Sequence, residues 1–317
     1  MVLWLYTARR LAVLVPTLFV VSVLIFGLQQ LLPGDAALAL AGEEHDPAAI
    51  AAIRARYHLD RPLAVQYGVW IGRALRGDLG ESLRNRIPVS QLLASKLPVT
   101  AELAACSMLI GLAIGIPAGI VSAARKGTAV DMAANALALS GLSVPHFWLG
   151  IMLILLFAVR LGWLPASGYV PPWEGLARNL STILLPSVVL GTGVAGVMMR
   201  HTRSAMLQTL GSDYVRTARA KGVPEPAVVA AHALRNALIP VITLGAIELG
   251  RLLSGAVLTE QIFAVPGLGK LLVDAVLNRD YAVVQAVVLA AAGFYVLLNL
   301  LADLLYFVAN PRLRGSA

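Results

Sequence analysis

The stretch SDYVRTARAKGVPEPAVVAAHALRNALIP, residues 212–240, decides how this chain is organised, and it is named the elbow below. It carries Arg216, Arg219, Lys221 and Arg235, yet it lies between two apolar segments that are each long enough to cross a bilayer. Because charged side chains are costly within hydrocarbon, the charged part of the elbow is expected to lie outside both segments. It is predicted to be a water-exposed part of a membrane protein.

The local pattern of the elbow predicts a helix, a bend and a second helix. Ser212 is a candidate N-cap with Asp213 in the first turn, and Gly222 suits the position just after the helix end. Pro226 is placed to open the second helix, which continues towards the next span. The first helix should therefore end in a fixed bend.

The first helix of the elbow is short, amphipathic and basic. Tyr214, Val215 and Ala218 lie at helical spacing on one face, while Arg216 and Arg219 share another. Two interpretations are open from composition alone. The helix fits a groove on another protein, or it rests on anionic lipid headgroups.

The composition of the whole chain excludes a soluble domain. Of its 317 residues 58% are hydrophobic and only 13% are charged, and its mean hydropathy is +0.79. A soluble protein of this size would need far more polar surface. The net charge of +8 does not indicate nucleic-acid binding, because the sequence has no zinc-finger spacing and no recognition-helix pattern. The single cysteine, Cys106, lies inside an apolar segment and indicates neither a disulfide nor a metal.

Six apolar segments predict an all-α, polytopic fold with six transmembrane helices. They lie at roughly residues 11–32, 99–124, 134–159, 181–199, 237–258 and 283–308. The alternative for the first segment is a cleaved signal peptide, with A-x-A sites at Ala37, Ala39 and Ala41. Its apolar core exceeds the usual length of about 7 to 15 residues, which favours a span.

Residues 33–97 carry nearly balanced acids and bases, which predicts an extracytoplasmic helical insert after the first span. Asp46 and Pro47 open one amphipathic helix there, predicted to run through His58. The predicted parts of the chain are a tail with the first span (1–32), the insert (33–97), a five-helix core (98–308) that includes the cytoplasmic loop 200–236, and a C-terminal tail (309–317).

The basic residues between spans predict the orientation of the chain. One side holds Arg9, Arg10, Arg125, Lys126, Arg200, Arg203, Arg216, Arg219, Lys221, Arg235, Arg312 and Arg314. The short loops opposite hold only Arg160, Arg178, Lys270 and Arg279. By the positive-inside rule, both termini and the elbow are expected in the cytoplasm.

Three features within the spans are candidates for packing or for lining a pathway. Gly111, Gly115 and Gly119 form a ridge of small residues that favours close approach of another helix. Pro145 breaks the third span beside His146, which either touches a substrate or is satisfied by carbonyls that the break frees.

Glu248 and Arg251 are charged residues three positions apart in the fifth span. They form either an internal ion pair or part of a pathway lining. An ion-coupled secondary transporter, with Glu248 as proton carrier, is therefore one interpretation of the chain. The basic elbow has no role in such a protein, which favours a separate cytoplasmic motor.

Motifs of bond chemistry are missing from the sequence. The fragment Gly267–Lys270 lacks the frame of a phosphate-binding P-loop, and Gly191–Gly196 matches GxGxxG inside an apolar span, where helix packing is the expected use. No HExxH, clustered metal-ligand spacing or GxSxG is found. We predict no catalytic residue, no metal site and no enzymatic activity of the chain itself.

Several short motifs together resemble the permeases of ABC importers in the dipeptide/oligopeptide group. They are Leu32-Pro33-Gly34-Asp35, Gly162-Trp163-Leu164-Pro165-Ala166-Ser167-Gly168-Tyr169, Asp213–Gly222, Arg235–Pro240, Pro266-Gly267-Leu268-Gly269, Arg279-Asp280-Tyr281, Asp303-Leu304-Leu305-Tyr306 and Asn310-Pro311-Arg312. Their order and spacing cover nearly the whole chain. The resemblance implies a type I ABC importer permease fold.

The resemblance also implies a role for the elbow: its first helix docks in a cleft of a nucleotide-binding subunit. The implied ATPase-coupling residues are Asp213, Tyr214, Arg216, Thr217, Ala218, Arg219, Lys221 and Gly222. Arg216 stands where the general permease pattern has a glutamate, so it is expected to pair with an acid on the ATPase. Glu248 and Arg251 stand where a neutral polar residue and a glycine are expected, which suggests a local specificity feature.

The implied partners are a second related permease, two cytoplasmic ABC ATPase subunits, an extracytoplasmic binding protein and the lipid bilayer of the bacterial inner membrane. ATP and Mg belong to the ATPase subunits, and this chain is expected to bind no cofactor. The implied cargo is di- or oligopeptides. Nickel, glutathione and other small solutes are the alternatives within the same group.

Overall fold

The structure is a computed structural model that describes residues 2–30, 46–56 and 60–309. Its α-helices, in chain order, are α1 (Val2–Gln30), α2 (Pro47–Arg56), α3 (Leu63–Ala74), α4 (Val89–Ala124), α5 (Ala129–Ser143), α6 (His146–Leu153), α7 (Leu176–Leu210), α8 (Asp213–Ala220), α9 (Glu225–Ala227), α10 (Leu234–Gly255), α11 (Val257–Ile262), α12 (Leu268–Leu277) and α13 (Tyr281–Ala309). A π-helical turn (Ile154–Arg160) extends α6, and another (Val228–Ala233) joins α9 to α10.

The predicted all-α membrane fold is confirmed, although fewer than six spans are unbroken. Within the described ranges, α4, α7, α13 and the continuous segment Glu225–Leu253 are long and apolar enough to cross a membrane. A fifth candidate is the pair α5 and α6, which is bent by 98°. Within the described residues of α1, the apolar helical part is Ala12–Leu28. The count of six transmembrane helices stays a prediction.

The bend between α5 and α6 follows from Pro145. Val144 has ψ of 124°, an extended conformation, because the ring of a following proline disfavours the helical one. Pro145 then takes the N-cap position of α6. The predicted break is confirmed, but it is a sharp turn of the chain and not a kink in one continuous span over residues 134–159.

The two longest helices, α4 and α7, form the centre of the bundle, and the glycine ridge lies between them. A Cβ atom on Gly115 would lie 2.6 Å from the carbonyl oxygen of Ala195, and one on Gly119 would lie 2.6 Å from that of Met199. At Gly111 an added Cβ would overlap a side chain of α7. The predicted close packing of this ridge is confirmed.

The GxGxxG match on α7 also serves helix packing. Gly191 faces α4, Gly193 faces His146 of α6, and Gly196 faces the carbonyl oxygen of Ala138 on α5. Each of the three glycines therefore admits a different neighbouring helix.

The largest buried cluster joins α4, α7 and α10. Leu103, Ile183, Met198 and Val241 are among its most deeply buried side chains. Because lipid tails are as apolar as these side chains, burial from water cannot drive such contacts inside a bilayer. Close fit, as along the glycine ridge, is what holds the helices together.

The described part of the predicted insert contains α2 and α3. The backbone N–H of Ala48 donates to Asp46 Oδ1 at 3.0 Å, so Asp46 caps α2 as expected. The described part of this helix is Pro47–Arg56, and His58, to which it was predicted to run, lies outside the described residues. Also outside them are Ala37, Ala39, Ala41, Leu32-Pro33-Gly34-Asp35 and Asn310-Pro311-Arg312.

The segment before α4 is fixed to the start of α13. Ser82 Oγ donates to the buried carboxylate of Asp280 at 2.5 Å, and Val89 N–H donates to the Gly80 carbonyl at 2.9 Å. These contacts lie at the end of the bundle opposite the elbow, which we name the distal end. α4 begins at Val89 with no break before the second predicted span.

Candidate functional site

The first helix of the elbow, α8, begins where the sequence predicts, but its cap differs. Ser212 takes the N-cap position, and its carbonyl accepts the Arg216 N–H at 3.1 Å. Its hydroxyl donates backwards to the Thr209 carbonyl at 2.6 Å and makes no cap hydrogen bond to α8. The side-chain cap predicted for Ser212 is therefore wrong, since its hydroxyl instead closes the last turn of α7.

The end of α8 is a Schellman motif built on Gly222. Its φ of +78° places it in the left-handed region that favours glycine. The Gly222 N–H donates to the Arg219 carbonyl at 3.0 Å, and the Val223 N–H donates to the Ala218 carbonyl at 3.2 Å. Pro224 follows as the N-cap of α9. The predicted stop at Gly222 and the restart near Pro226 are confirmed.

The inner face of α8 attaches the elbow to the spans. Val215 is fully buried and Ala218 nearly so. The hydroxyl of Tyr214 accepts a hydrogen bond from Asn236 Nδ2 at 2.7 Å and donates to the His232 carbonyl at 3.4 Å. Through these contacts α8 is held against the beginning of the Glu225–Leu253 span.

The outer face of α8 is polar and open. Asp213, Arg216, Thr217 and Lys221 are exposed, and the side chain of Arg216 is 73% accessible. Arg216 makes a 3.2 Å ion pair with Asp213, whose own side chain is almost fully exposed. An ion pair so open to solvent is weak, so both groups remain available to a partner.

An ion pair that the sequence analysis missed closes the bend. Arg219 Nη2 and Nε donate to the two carboxylate oxygens of Glu225 at 2.7 and 3.0 Å. Arg219 Nη1 also reaches the Leu210 carbonyl at 3.3 Å. Arg219 therefore joins the end of α7, α8 and the start of α9, and it shares its charge with these groups instead of pointing freely outwards beside Arg216.

Loss of this ion pair should loosen the bend without unfolding the chain. We expect Glu225→Gln to speed tryptic cleavage after Lys221 about two- to fivefold, since a partly exposed pair contributes roughly 0.2–1 kcal/mol and cleavage follows local opening. Mass spectrometry of timed digests measures the rate. Glu174→Gln, which removes an equal charge far from the elbow, should leave it unchanged. Equal rates in wild type and Glu225→Gln would contradict this role of the pair.

A buried ion pair lies near the end of α7, shortly before the elbow. Arg203 donates from Nε and Nη2 to the two carboxylate oxygens of Asp131 at 2.8 and 2.9 Å. Asp131 also accepts from Ser122 Oγ at 2.5 Å and from the Gly127 N–H at 2.9 Å. This cluster, named the Asp131 clamp, ties the ends of α4 and α7 to the start of α5. The sequence analysis assigned Arg203 to the loop, whereas it belongs to α7.

The structure pairs two of the three pathway candidates. Arg251 Nη1 donates to Glu248 Oε1 at 2.9 Å, and the Glu248 side chain is buried while that of Arg251 is 65% exposed. The ion pair is thus observed, and a role of the two residues in lining a pathway stays a prediction. His146 lies apart from them on α6, where it is exposed and packs beside Gly193.

The most enclosed carboxylate of the described residues is Glu260, which the sequence analysis also missed. Its side chain is fully buried. Oε1 accepts from Thr100 Oγ1 at 2.7 Å and Oε2 from the Lys270 N–H at 2.8 Å, while Thr100 Oγ1 accepts from the Leu268 N–H at 2.8 Å. Glu260 and Thr100 thus cap α12 from other parts of the chain, because the N-cap residue Gly267 has no side chain.

The glycines of the Pro266–Gly269 motif make room for this cap. A Cβ on Gly267 would overlap the Glu260 carboxylate, and one on Gly269 would lie 2.6 Å from Val257 Cα. Burial raises the pKa of Glu260, and the hydrogen bonds from Thr100 and from the backbone of Lys270 and Gly269 oppose that rise. The fragment that resembles part of a P-loop therefore packs around a carboxyl group of the chain itself, the side chain of Glu260.

Neither the elbow nor the distal end carries a metal-binding cluster in the described residues. No three His, Cys, Asp or Glu side chains of these ranges lie close enough together to hold an ion. The arrangement at the elbow is suited to mechanical contact with another protein.

Comparison with protein families gives two matches that together span almost the entire chain. Residues 115–315 match the family described as "Binding-protein-dependent transport system inner membrane component". Residues 2–104 match the model described as "Binding-prot-dependent transport system membrane comp, N-term".

Similar proteins of curated function extend over nearly the full length. The dipeptide transport system permease protein DppB of Escherichia coli (strain K12) is 41% identical, over 98% of both chains. The di/tripeptide transport system permease protein DppB of Pseudomonas aeruginosa (strain UCBPP-PA14) is 44% identical, also over 98% of both chains.

Solved structures share the fold at lower identity. A chain of the MetNI methionine ABC transporter in an inward-facing conformation aligns with a TM-score of 0.53 at 21% identity, covering 72% of this chain and 97% of that one. A chain of an amino acid ABC transporter aligns with a TM-score of 0.51 at 14% identity, covering 70% and 94%. The chain therefore belongs to the binding-protein-dependent transport system inner membrane component family, the membrane-spanning permeases of ABC importers.

Proposed function

We propose that this permease forms half of the translocation pathway of an importer for di- or oligopeptides and that the elbow couples it to an ATPase. A second, related permease would supply the other half. Two cytoplasmic ABC ATPase subunits would bind the two elbows, and an extracytoplasmic binding protein would deliver the cargo. Transport would proceed by alternating access of the helices to the two sides of the membrane.

The observation that carries this proposal is the way the elbow is mounted. α8 presents Arg216, Thr217 and Lys221 to solvent, while Val215 and Ala218 hold it to the spans. The Schellman motif and the Arg219–Glu225 pair fix the bend after α8. Because α8 is fixed to the spans on one side and exposed on the other, a partner that displaces α8 would displace the spans with it. The basic outer face favours an acidic cleft on that partner.

The Asp131 clamp offers a route from the elbow into the bundle. Arg203 lies on α7, less than three turns before the elbow begins, and its pair with Asp131 is largely buried. A displacement of α7 therefore reaches α4 and α5 through charged hydrogen bonds, which keep their geometry better than apolar contacts do.

The cargo proposal rests on the relatives, whose names specify dipeptides and di/tripeptides. It favours peptides over nickel, glutathione or other small solutes. An ion-coupled mechanism with Glu248 as proton carrier is disfavoured, since Glu248 is already paired with Arg251. Measuring the cargo selectivity of variants of Glu248, Arg251 and His146 would test whether these residues line the pathway.

The proposed orientation places both termini and the elbow in the cytoplasm, in accordance with the positive-inside rule. In this arrangement ATP and Mg are bound by the ATPase subunits, and the permease holds no cofactor of its own. The distal end, with the described part of the insert, would face the binding protein.

A co-purification experiment tests the coupling. The tagged permease is expressed together with its neighbouring transport genes, solubilised and purified, and the ATPase activity that accompanies it is measured. Arg216→Glu should reduce the recovered ATPase about tenfold or more, because a like charge facing an acidic cleft costs at least about 1.4 kcal/mol. Arg178→Glu, an exposed charge reversal in the first turn of α7 on the other predicted side, should leave recovery unchanged.

Equal recovery of ATPase with Arg216→Glu and with wild type would argue against a basic coupling face. If no ATPase accompanies the wild type and uptake follows an ion gradient instead of ATP, the importer proposal itself fails. Uptake of labelled dipeptides by the intact system then tests the cargo separately.

A further inference from the structure

Helix α3 of the insert is apolar on almost every side, yet none of its residues is buried. Gln66 and Arg73 are its polar residues, and their spacing of seven places them on one narrow stripe. Val65 and Val69 are 47% and 36% exposed, and Leu75 just beyond the helix is 82% exposed. A helix with so much apolar surface is not stable against water on all sides, so something must cover it.

The contacts of α3 place it against the first span. The hydroxyls of Tyr67 and Ser22 lie 2.7 Å apart, within hydrogen-bond distance. The Tyr67 ring packs edge-on against Phe26 with centroids 5.5 Å apart, and the ring of Trp70 is 6.0 Å from that of Phe26. α3 therefore lies beside α1 instead of standing free in the aqueous phase.

Helix α1, against which α3 packs, also has exposed apolar side chains. Phe19, Val23 and Leu24 are 58%, 42% and 57% accessible on that helix. Arg61 before α3 and Arg76 after it are exposed, so charges flank the apolar stretch at both ends. Tyr and Trp within the helix and Arg at its ends are typical of segments that lie at a bilayer interface.

We propose that α3 is an interfacial helix, embedded at the distal surface of the bilayer with lipid acyl chains covering Val65 on its flank and Leu75 opposite the polar stripe. Its polar stripe of Gln66 and Arg73 faces the headgroups. The nearly balanced charge of residues 33–97 suggests an aqueous insert, but only one of those charges, Arg73, lies within α3. This proposal is independent of the cargo and of the ATPase.

Spin-label accessibility tests it on the full-length permease, co-purified with its accompanying subunits. Cys106→Ala removes the native thiol, and Val65→Cys and Leu75→Cys are labelled singly. The protein is reconstituted into vesicles of phosphatidylethanolamine and phosphatidylglycerol. Collision rates with oxygen, which enters the hydrocarbon, and with a water-soluble nickel chelate are then measured. Val23→Cys on α1 is the lipid control, and Arg76→Cys beyond α3 is the aqueous control.

The ratio of oxygen to nickel collisions at residues 65 and 75 should be within about twofold of that at Val23→Cys and roughly fivefold above that at Arg76→Cys. A ratio equal to that of Arg76→Cys at both positions would place α3 in water and overturn the proposal. Immobilised labels with low accessibility to both reagents would also overturn it, because the face would then be covered by protein, such as the second permease. If one variant does not assemble, the other position decides.

Discussion

Glu260→Ala is expected to destabilise the folded permease by about 3 kcal/mol, because it leaves buried backbone N–H groups of α12 without an acceptor at roughly 1–3 kcal/mol each. Glu260 accepts from the Lys270 N–H and from Thr100, and its side chain is wholly enclosed. A cavity of about 30 Å³ already borders Glu260. It has room for one water molecule but an otherwise apolar lining, so water can replace only part of what the carboxylate provides.

Thermal unfolding of the detergent-solubilised protein measures this effect, and Glu260→Gln is the matched control. A glutamine keeps the shape and one acceptor for the α12 backbone, and its amide can donate to Thr100. We expect it to cost about 1 kcal/mol, in the range of one net hydrogen bond. If the alanine and glutamine variants unfold at the wild-type temperature, the cap is not what holds α12 in place.

The same geometry predicts that Gly267→Ala and Glu260→Ala are not additive. The methyl group that Gly267→Ala introduces would overlap the Glu260 carboxylate and would also lie 2.5 Å from Thr100 Oγ1. In the Glu260→Ala background the first of these overlaps is gone, so Gly267→Ala should cost less there, by about 1 kcal/mol or more. Equal costs in both backgrounds would contradict a direct contact.

The local features that could be predicted from sequence depend on residues close together in the chain. Gly222 stops a helix because its own backbone adopts a positive φ, and Pro145 breaks one because of its effect on Val144. Such signals need no knowledge of the rest of the fold. Ser212 shows the limit of this approach. Its hydroxyl could have accepted a backbone N–H of α8 as a cap, but it donates to the Thr209 carbonyl on α7 instead.

The contacts that escaped prediction join residues far apart in the chain. Thr100 and Glu260 are separated by 160 positions, and Arg203 and Asp131 by 72. Nothing local to Glu260 distinguishes it from an exposed acid in a loop. The two glycines of Pro266–Gly269 were the one available hint, because glycines flanking a helix start indicate that something approaches the backbone closely.

Gly119→Val is expected to force α4 and α7 apart and to destabilise the bundle by about 1–3 kcal/mol through overpacking. The added Cβ would lie 2.6 Å from the Met199 carbonyl oxygen, 2.7 Å from Thr202 Cβ and 3.1 Å from the Arg203 backbone nitrogen. The first and last of these are backbone atoms, which cannot move aside as the end of a flexible side chain can. The whole helix must shift instead.

Gly245→Val on α10 is the matched control, since no atom lies within 4 Å of the position of its Cβ. Both substitutions change the intrinsic helix propensity equally, so the difference between their unfolding temperatures isolates the contact of α4 with α7. That difference should be several degrees, as about 1–3 kcal/mol requires in a protein of this size.

Because Arg203 is both a neighbour of Gly119 and a member of the Asp131 clamp, a shift of α7 should also weaken the clamp. ATP-driven uptake per assembled transporter should therefore fall in Gly119→Val and be retained in Gly245→Val. Loss of stability with unchanged uptake per transporter would show that the clamp tolerates the shift, and that motion of the elbow reaches the pathway by another route.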